Sequence, residues 1–232
     1  LYHIYFFIYF LTVPPYSFGT AFERVNMEKN SKYRFFYLFI ILSIAFLSFQ
    51  TLHAANITFW DKTKSLGVEV KLPYWALEKD VSSTEENGIK EDGNLYNNLK
   101  IYKPSGKPKN WSQFFSIQIE SGMEDPVELF KDLQLGAYIN YCKSNSLAFN
   151  LIKESSDQIV FSVFCGKYKH DISKGEVAVY SMIKHKSFFV KIFHQWRGGQ
   201  MDINDSSSWN TSKEEMTNII RDISSIKIHF KK

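Results

Sequence analysis

Cysteine is scarce, with Cys142 and Cys165 the only two in 232 residues. Their spacing excludes a CxxC redox site. Arginine is scarce too: beyond Ala54 only Arg197 and Arg221 interrupt a positive charge otherwise carried by lysine. That segment holds two more basic than acidic side chains, so it has no electrostatic footprint for nucleic acid, and none is expected as a partner. The chain also lacks GxSxG, HExxH, a phosphate-binding GK[ST] loop and GxGxxG. It therefore offers no nucleophile elbow, zincin helix or nucleotide cradle, and no cofactor is expected. Beyond Ala54 the histidines are His170, His185, His194 and His229, at spacings that make no local metal pair, so no metal is expected either. The Gly-Gly of "WRGGQ", Trp196 to Gln200, reads as a turn after a strand rather than a phosphate cradle.

Long apolar runs are confined to the first quarter. In "MEKNSKYRFFYLFIILSIAFLSFQTLHA", Met27 to Ala54, a net positive start precedes a charge-free run from Phe35 to Phe49 and a small-residue exit at Ala54 and Ala55. This is the three-part pattern of an export signal. The run is shorter than the roughly 20 residues a spanning helix needs. Cleavage is therefore expected, with an uncleaved inner-membrane anchor as the alternative and the membrane touched only through that leader. No cysteine follows the run to carry a lipid. Residues 1–26, opening on Leu1 and holding the shorter apolar run "LYHIYFFIYFLTV", read as an upstream extension from a mis-assigned start; a two-helix membrane hairpin is the competing reading. The expectation is 1–26 extension, 27–54 signal peptide, and 55–232 one domain in the periplasm or outside the cell. Abundant Asn, Ile, Lys, Phe and Tyr match an AT-rich bacterial genome. The sequons at Asn56, Asn110, Asn204 and Asn210 are then chance matches.

Periodicity divides the domain. "ANITFWDK" and "LGVEVKLP" are strand-like, the second alternating Val68, Val70 and Leu72 against Gly67, Glu69 and Lys71. The polar stretch Glu78 to Asn98 predicts a loop. A strand follows around Leu99 to Tyr102, and "KPSGKPKN" then stops it; this lysine-rich stretch beside Trp111 reads as a solvated loop, with contact to an anionic surface as the other option. Trp111 to Glu120 resumes a strand with Phe115, Ile117 and Ile119 on one face. A helix is expected next, with Asp125 as N-cap, Pro126 first, and an apolar stripe of Val127, Phe130, Leu133, Ala137, Tyr138 and Tyr141. Two hairpins follow, one turning at Ser155-Ser156 and one at His185-Lys186. The last helix opens at Thr211 and Glu214 and buries Met216, Ile219, Ile220 and Ile223. The class is α+β: a mainly antiparallel sheet of about seven or eight strands flanked by two helices.

This order of strands, helix, two hairpins and helix is similar to the Mog1/PsbP-like arrangement. The resemblance implies an accessory or binding role.

Two sites emerge from the residues. If the first hairpin pairs with a residue sum near 311, Cys165 faces Ser146, one helical turn from Cys142, within disulfide reach in an oxidising compartment. On the second hairpin, alternation puts His194 beside Phe188, Val190, Ile192 and Trp196, so the ring lies in the core or at an apolar pocket wall. A hydrogen-bonded core histidine is the simpler reading, and the expected function is a non-catalytic envelope-accessory or binding protein for a protein or small apolar ligand. The alternatives are a secreted hydrolase using His194 with Asp171 or Glu176, and a host-directed secreted factor.

Overall fold

The computed structural model describes residues 55–104 and 111–231. The leader, the upstream extension, Asn110 and most of the "KPSGKPKN" loop lie outside the described residues. Strands β1 (Asn56–Trp60) and β2 (Leu66–Lys71) form a hairpin that β10 (Lys227–Phe230) extends on the far side of β2. The larger sheet is built from β3 (Ser82–Ile89), β4 (Leu95–Lys103), β5 (Gln113–Ser121), β6 (Leu147–Glu154), β7 (Gln158–Cys165), β8 (Lys174–His185) and β9 (Phe188–Gly199). Its order is β3-β4-β5-β9-β8-β7-β6, and every pairing in both sheets is antiparallel. Helix α1 spans Val127–Tyr141 and α2 spans Lys213–Ser224. The expected α+β class holds, with ten strands in two sheets.

The large sheet separates two cores. On one face Phe115, Ile117, Val179, Val190, Ile192 and Trp196 pack against the small sheet's Leu66, Val68 and Val70 and against Ile219 and Ile223 of α2. On the other, Ile159, Phe161, Val163, Tyr180 and Met182 pack against Val127 and Tyr138 of α1. Strands β7 and β8 are buried on both faces, which is why they read as nearly continuous apolar runs rather than alternating ones.

Five expectations are corrected. Gly198 and Gly199 of "WRGGQ" are not a turn after a strand but the end of β9, facing Gly175 and Lys174 of β8. Glu78 to Asn98 is not a loop: it contains β3 and the start of β4, joined at Asp92-Gly93, where Gly93 takes φ 83° and Asp92 Oδ1 accepts from Asn94 N. As an edge strand with little apolar surface to bury, β3 tolerates Glu85, Glu86 and Asn87, and charge there guards the edge. At α1 the cap is Pro126, without a side-chain hydrogen bond, and not Asp125. Leu133 and Ala137 are exposed rather than on the packed face, because they fall outside the arc spanned by Phe130, Val127 and Tyr138. At α2 the cap is Ser212, whose hydroxyl accepts from Glu215 N; Glu215 in turn accepts from Thr211 and from the Trp196 indole.

Candidate functional site

His194 is wholly buried on the small-sheet face of β9. Its Nε2 accepts from the Trp75 indole at 3.1 Å, its ring stacks on Trp196 with centroids 4.0 Å apart, and Nδ1 has no partner among the described residues. Burial lowers its pKa to about 3, so the ring is neutral. Val190, Ile192 and Trp196 are equally buried, and Phe188 packs against the same cluster. These residues belong to the hydrophobic core on that face. The structure does not bring His194 to either proposed acid. In the β8–β9 register Val179 faces His194 while Glu176 faces Arg197, and Glu176 shares its face with Ala178 and Tyr180, on the α1 side.

That opposite face opens into a cleft of about 1,020 Å³ at the end of the sheet, and both Asp171 and Glu176 line it. Its geometry follows from the register. Cys165 of β7, Glu176 of β8 and Arg197 of β9 stand in one cross-strand row. The Cys142–Cys165 disulfide, with Cα atoms 5.8 Å apart, joins this row to the end of α1, as expected from the sequence. The actual partner of Cys165 in β6 is Leu147, one residue past the expected Ser146. Tyr141 immediately precedes the bridged Cys142, and Tyr168 pairs with Cys142 through an isolated β-bridge. The disulfide thus sets two phenols over the row.

Both phenols donate to Glu176: Tyr141 to Oε1 at 2.8 Å and Tyr168 to Oε2. Arg197 Nη2 adds a weaker contact to Oε2 at 3.5 Å, and its Nε donates to the Tyr168 hydroxyl at 3.2 Å. The guanidinium lies 3.8 Å from the Trp111 ring centroid, a cation–π stack. Beyond Tyr168 the exposed His170 ring stacks in parallel at 5.4 Å. Burial, reinforced by the Glu176 charge, raises the pKa of Tyr141 and Tyr168 above the ordinary phenol value, so both remain donors. At the rim Asp171 is held below the usual carboxylate range, first by the Ser173 hydroxyl and then by Lys174. Behind the site, Tyr138 and Tyr180 share a hydrogen bond at 3.0 Å, and the Gln195 amide donates to both.

Sequence reasoning missed Tyr141, Tyr168 and Arg197 as site residues, and named Trp111 only beside the lysine-rich loop. The signal for Arg197 was present, since an arginine is conspicuous in a lysine-rich chain and the hairpin turn fixes which residue it faces. The tyrosines carried none, because they reach Glu176 through the disulfide and a loop. Among the described residues no three His, Cys, Asp or Glu side chains cluster closely enough to hold a metal ion.

No protein-family model matches the chain, and no curated protein matches its sequence. Among solved structures it is similar to the Ran-binding protein Mog1p of Saccharomyces cerevisiae and to a point mutant of Mog1. Each shows 8% identity and a TM-score of 0.40 over 76% of this chain and 96% of the other. The resemblance expected from the order of elements thus recurs as a weak likeness of fold.

Proposed function

We propose that the chain is an exported, non-catalytic binding or envelope-accessory protein that receives its partner in the cleft above Glu176. The observation that carries this reading is the engagement of both oxygens of the Glu176 carboxylate by the protein's own groups. The carboxylate accepts from two phenols and a guanidinium, so its lone pairs orient the protein's own groups and are poorly placed to take a proton from a substrate. What faces the opening is a set of side chains held in place beforehand, which lowers the ordering cost of association. The hydrolase alternative needs His194 beside a carboxylate, and the two occupy opposite faces of the sheet. Export is supported by the signal pattern and by the buried Cys142–Cys165 bridge, since disulfides persist in oxidising compartments. Ala55 already belongs to the fold, its carbonyl accepting from Leu72 N, so a cut before it leaves every described strand intact.

The test places a photo-cross-linking side chain at position 170 of the full chain, in the native host, with position 87 on β3 as control. A cross-link formed from 170, absent from 87 and lost on Trp111→Ala is the expected result, from protein whose intact mass starts at or near Ala55. Equal capture from both positions, or hydrolytic turnover that Glu176→Gln removes, would overturn the reading.

A further inference from the structure

We infer that Arg197 is the anchor for a carboxylate group on whatever occupies the cleft; this rests on the binding reading above. The first ground is economy of residue type. Lysine supplies nearly all the positive charge beyond Ala54, and the other arginine, Arg221, is mostly exposed on α2. A guanidinium differs from an ammonium in its planar, pre-organised fork, which matches a carboxylate through two parallel hydrogen bonds.

The second ground is how that fork is held. Nε is fixed by Tyr168, Nη2 leans on Glu176, and the flat face rests on Trp111. Even the backbone is braced, with the Arg197 carbonyl accepting from Asn210 Nδ2 at 2.6 Å. Three kinds of contact thus immobilise a side chain that ordinarily carries about 2 kcal/mol of rotamer entropy. Yet Nη1 has no hydrogen-bond partner among the described residues, and the side chain, 31% exposed, lines the cleft. A guanidinium restrained on its inner side and open on its outer edge is arranged as a receptor rather than as a structural tie.

The third ground is which donors stay uncommitted once the Glu176–Arg197 and Asp171–Lys174 pairs are counted. Asp171 is engaged by Ser173 and Lys174, and the Glu176 charge is spread over two phenols, so neither competes at the Nη1 edge. Lys174 is shared with Asp171, which leaves one open guanidinium edge. With Glu176 balancing the Arg197 charge, that edge offers paired N–H donors without surplus positive charge, which suits a carboxylate better than the higher charge of a phosphate. The carboxylate can come from an acidic side chain of a partner protein or from a free organic acid.

The experiment follows the Nε–Hε resonance of Arg197 in the nitrogen-15-labelled full chain, assigned by its loss in Arg197→Lys. Succinate, a hexaglutamate peptide with an amidated C-terminus, and inorganic phosphate are titrated at low salt. A saturable shift is expected with a carboxylate probe, together with binding at least tenfold weaker in Arg197→Lys, measured by calorimetry on protein whose thermal melt shows it folded. Trp111→Leu, which removes the stack and leaves the ion pair, should weaken binding in the same direction and serves if Arg197→Lys does not fold. Tighter binding of the peptide assigns the group to a partner chain, and tighter binding of succinate assigns it to a small acid; both support the anchor. No shift with either carboxylate, tighter binding of phosphate, or undiminished carboxylate binding in Arg197→Lys would overturn it. A cross-link from position 170 that persists in that case would leave the binding reading standing without a carboxylate anchor.

Discussion

An imidazole sealed between Trp75, Phe115 and Trp196 is held neutral by burial, and it ties stability to acidity. The folded pKa of His194 is about 3, against 6.5 for an ordinary histidine. Between those values the unfolded chain binds a proton that the folded chain refuses. Stability from this group is therefore fully present above about pH 6.5 and is lost as pH falls toward 3, by roughly 2 kcal/mol at pH 5. Replacing His194 by Gln keeps an acceptor for the Trp75 indole and removes the titration. At pH 7 the variant should be less stable than the parent by about 1 to 3 kcal/mol, from lost ring packing. Denaturant melts at pH 7 and pH 5 should show that gap narrowing by roughly 2 kcal/mol. A gap independent of pH would mean the ring titrates normally. The same parity that buries His194 exposes Arg197 to the cleft, and it could have been read from the sequence. With a two-residue turn after His185, residue 185 pairs with 188, so even positions of β8 face odd positions of β9. Pairing His194 with Glu176 overlooked that arithmetic.

At the scale of elements, the end of α1 is fastened where the site is built. Besides the disulfide, Cys142 N donates to Tyr138 O, Lys143 N to Lys167 O, and Lys169 N to Tyr141 O. The bridge spans a separation of 23 residues, for which loop-closure entropy gives about 3 kcal/mol. Cys142→Ala with Cys165→Ala should lower unfolding stability by about that amount while far-ultraviolet circular dichroism stays unchanged. The more telling readout is phenol titration. Tyr138, Tyr141, Tyr168 and Tyr180 all have raised pKa values, burial being the main cause. The folded protein should keep these protons at a pH where the unfolded chain releases them, losing stability as pH rises past about 10. In the double variant Tyr141 and Tyr168 should ionise ahead of Tyr138 and Tyr180, seen as added phenolate absorbance before unfolding. Identical titration curves would show that the backbone ties alone hold the site. The hairpins β6–β7 and β8–β9 were legible from β-rich runs around turn residues, and β9 and the stripe of α2 because they bury apolar faces with regular periods. Strand β3 was not, since an edge strand with little core to cover resembles a loop in composition. The helix caps slipped by one residue, because Asp125 and Thr211 are good capping types beside the positions that geometry selects.

For the molecule as a whole, the seven-stranded sheet of the described residues ends in β3 on one side and β6 on the other, and the chain treats these two strands differently. Along β3 the exposed Glu85 and Glu86, with Lys100 paired to Glu86, discourage another strand from adding. Along β6 the exposed side chains include Phe149 and Leu151, each about 40% accessible. A register shift between Leu151 and Lys153 interrupts the pairing with β7, and Lys153 and Glu154 charge only the last residues of the strand. Among the described residues the charge guard is therefore continuous at the middle of β3 and missing from the middle of β6. Replacing Leu151 by Lys puts a charge at the centre of the open edge, where little packing is at stake, so the melt should move by no more than about 0.5 kcal/mol in stability. Sedimentation velocity across a concentration series should show the parent chain associating more strongly than Leu151→Lys. Light scattering near the thermal midpoint should rise later in the variant. A matching substitution on β3, Thr84→Lys, should change neither measurement. Were both variants to behave like the parent, the exposed apolar side chains of β6 would have to be shielded in solution, and self-association through that edge would be abandoned.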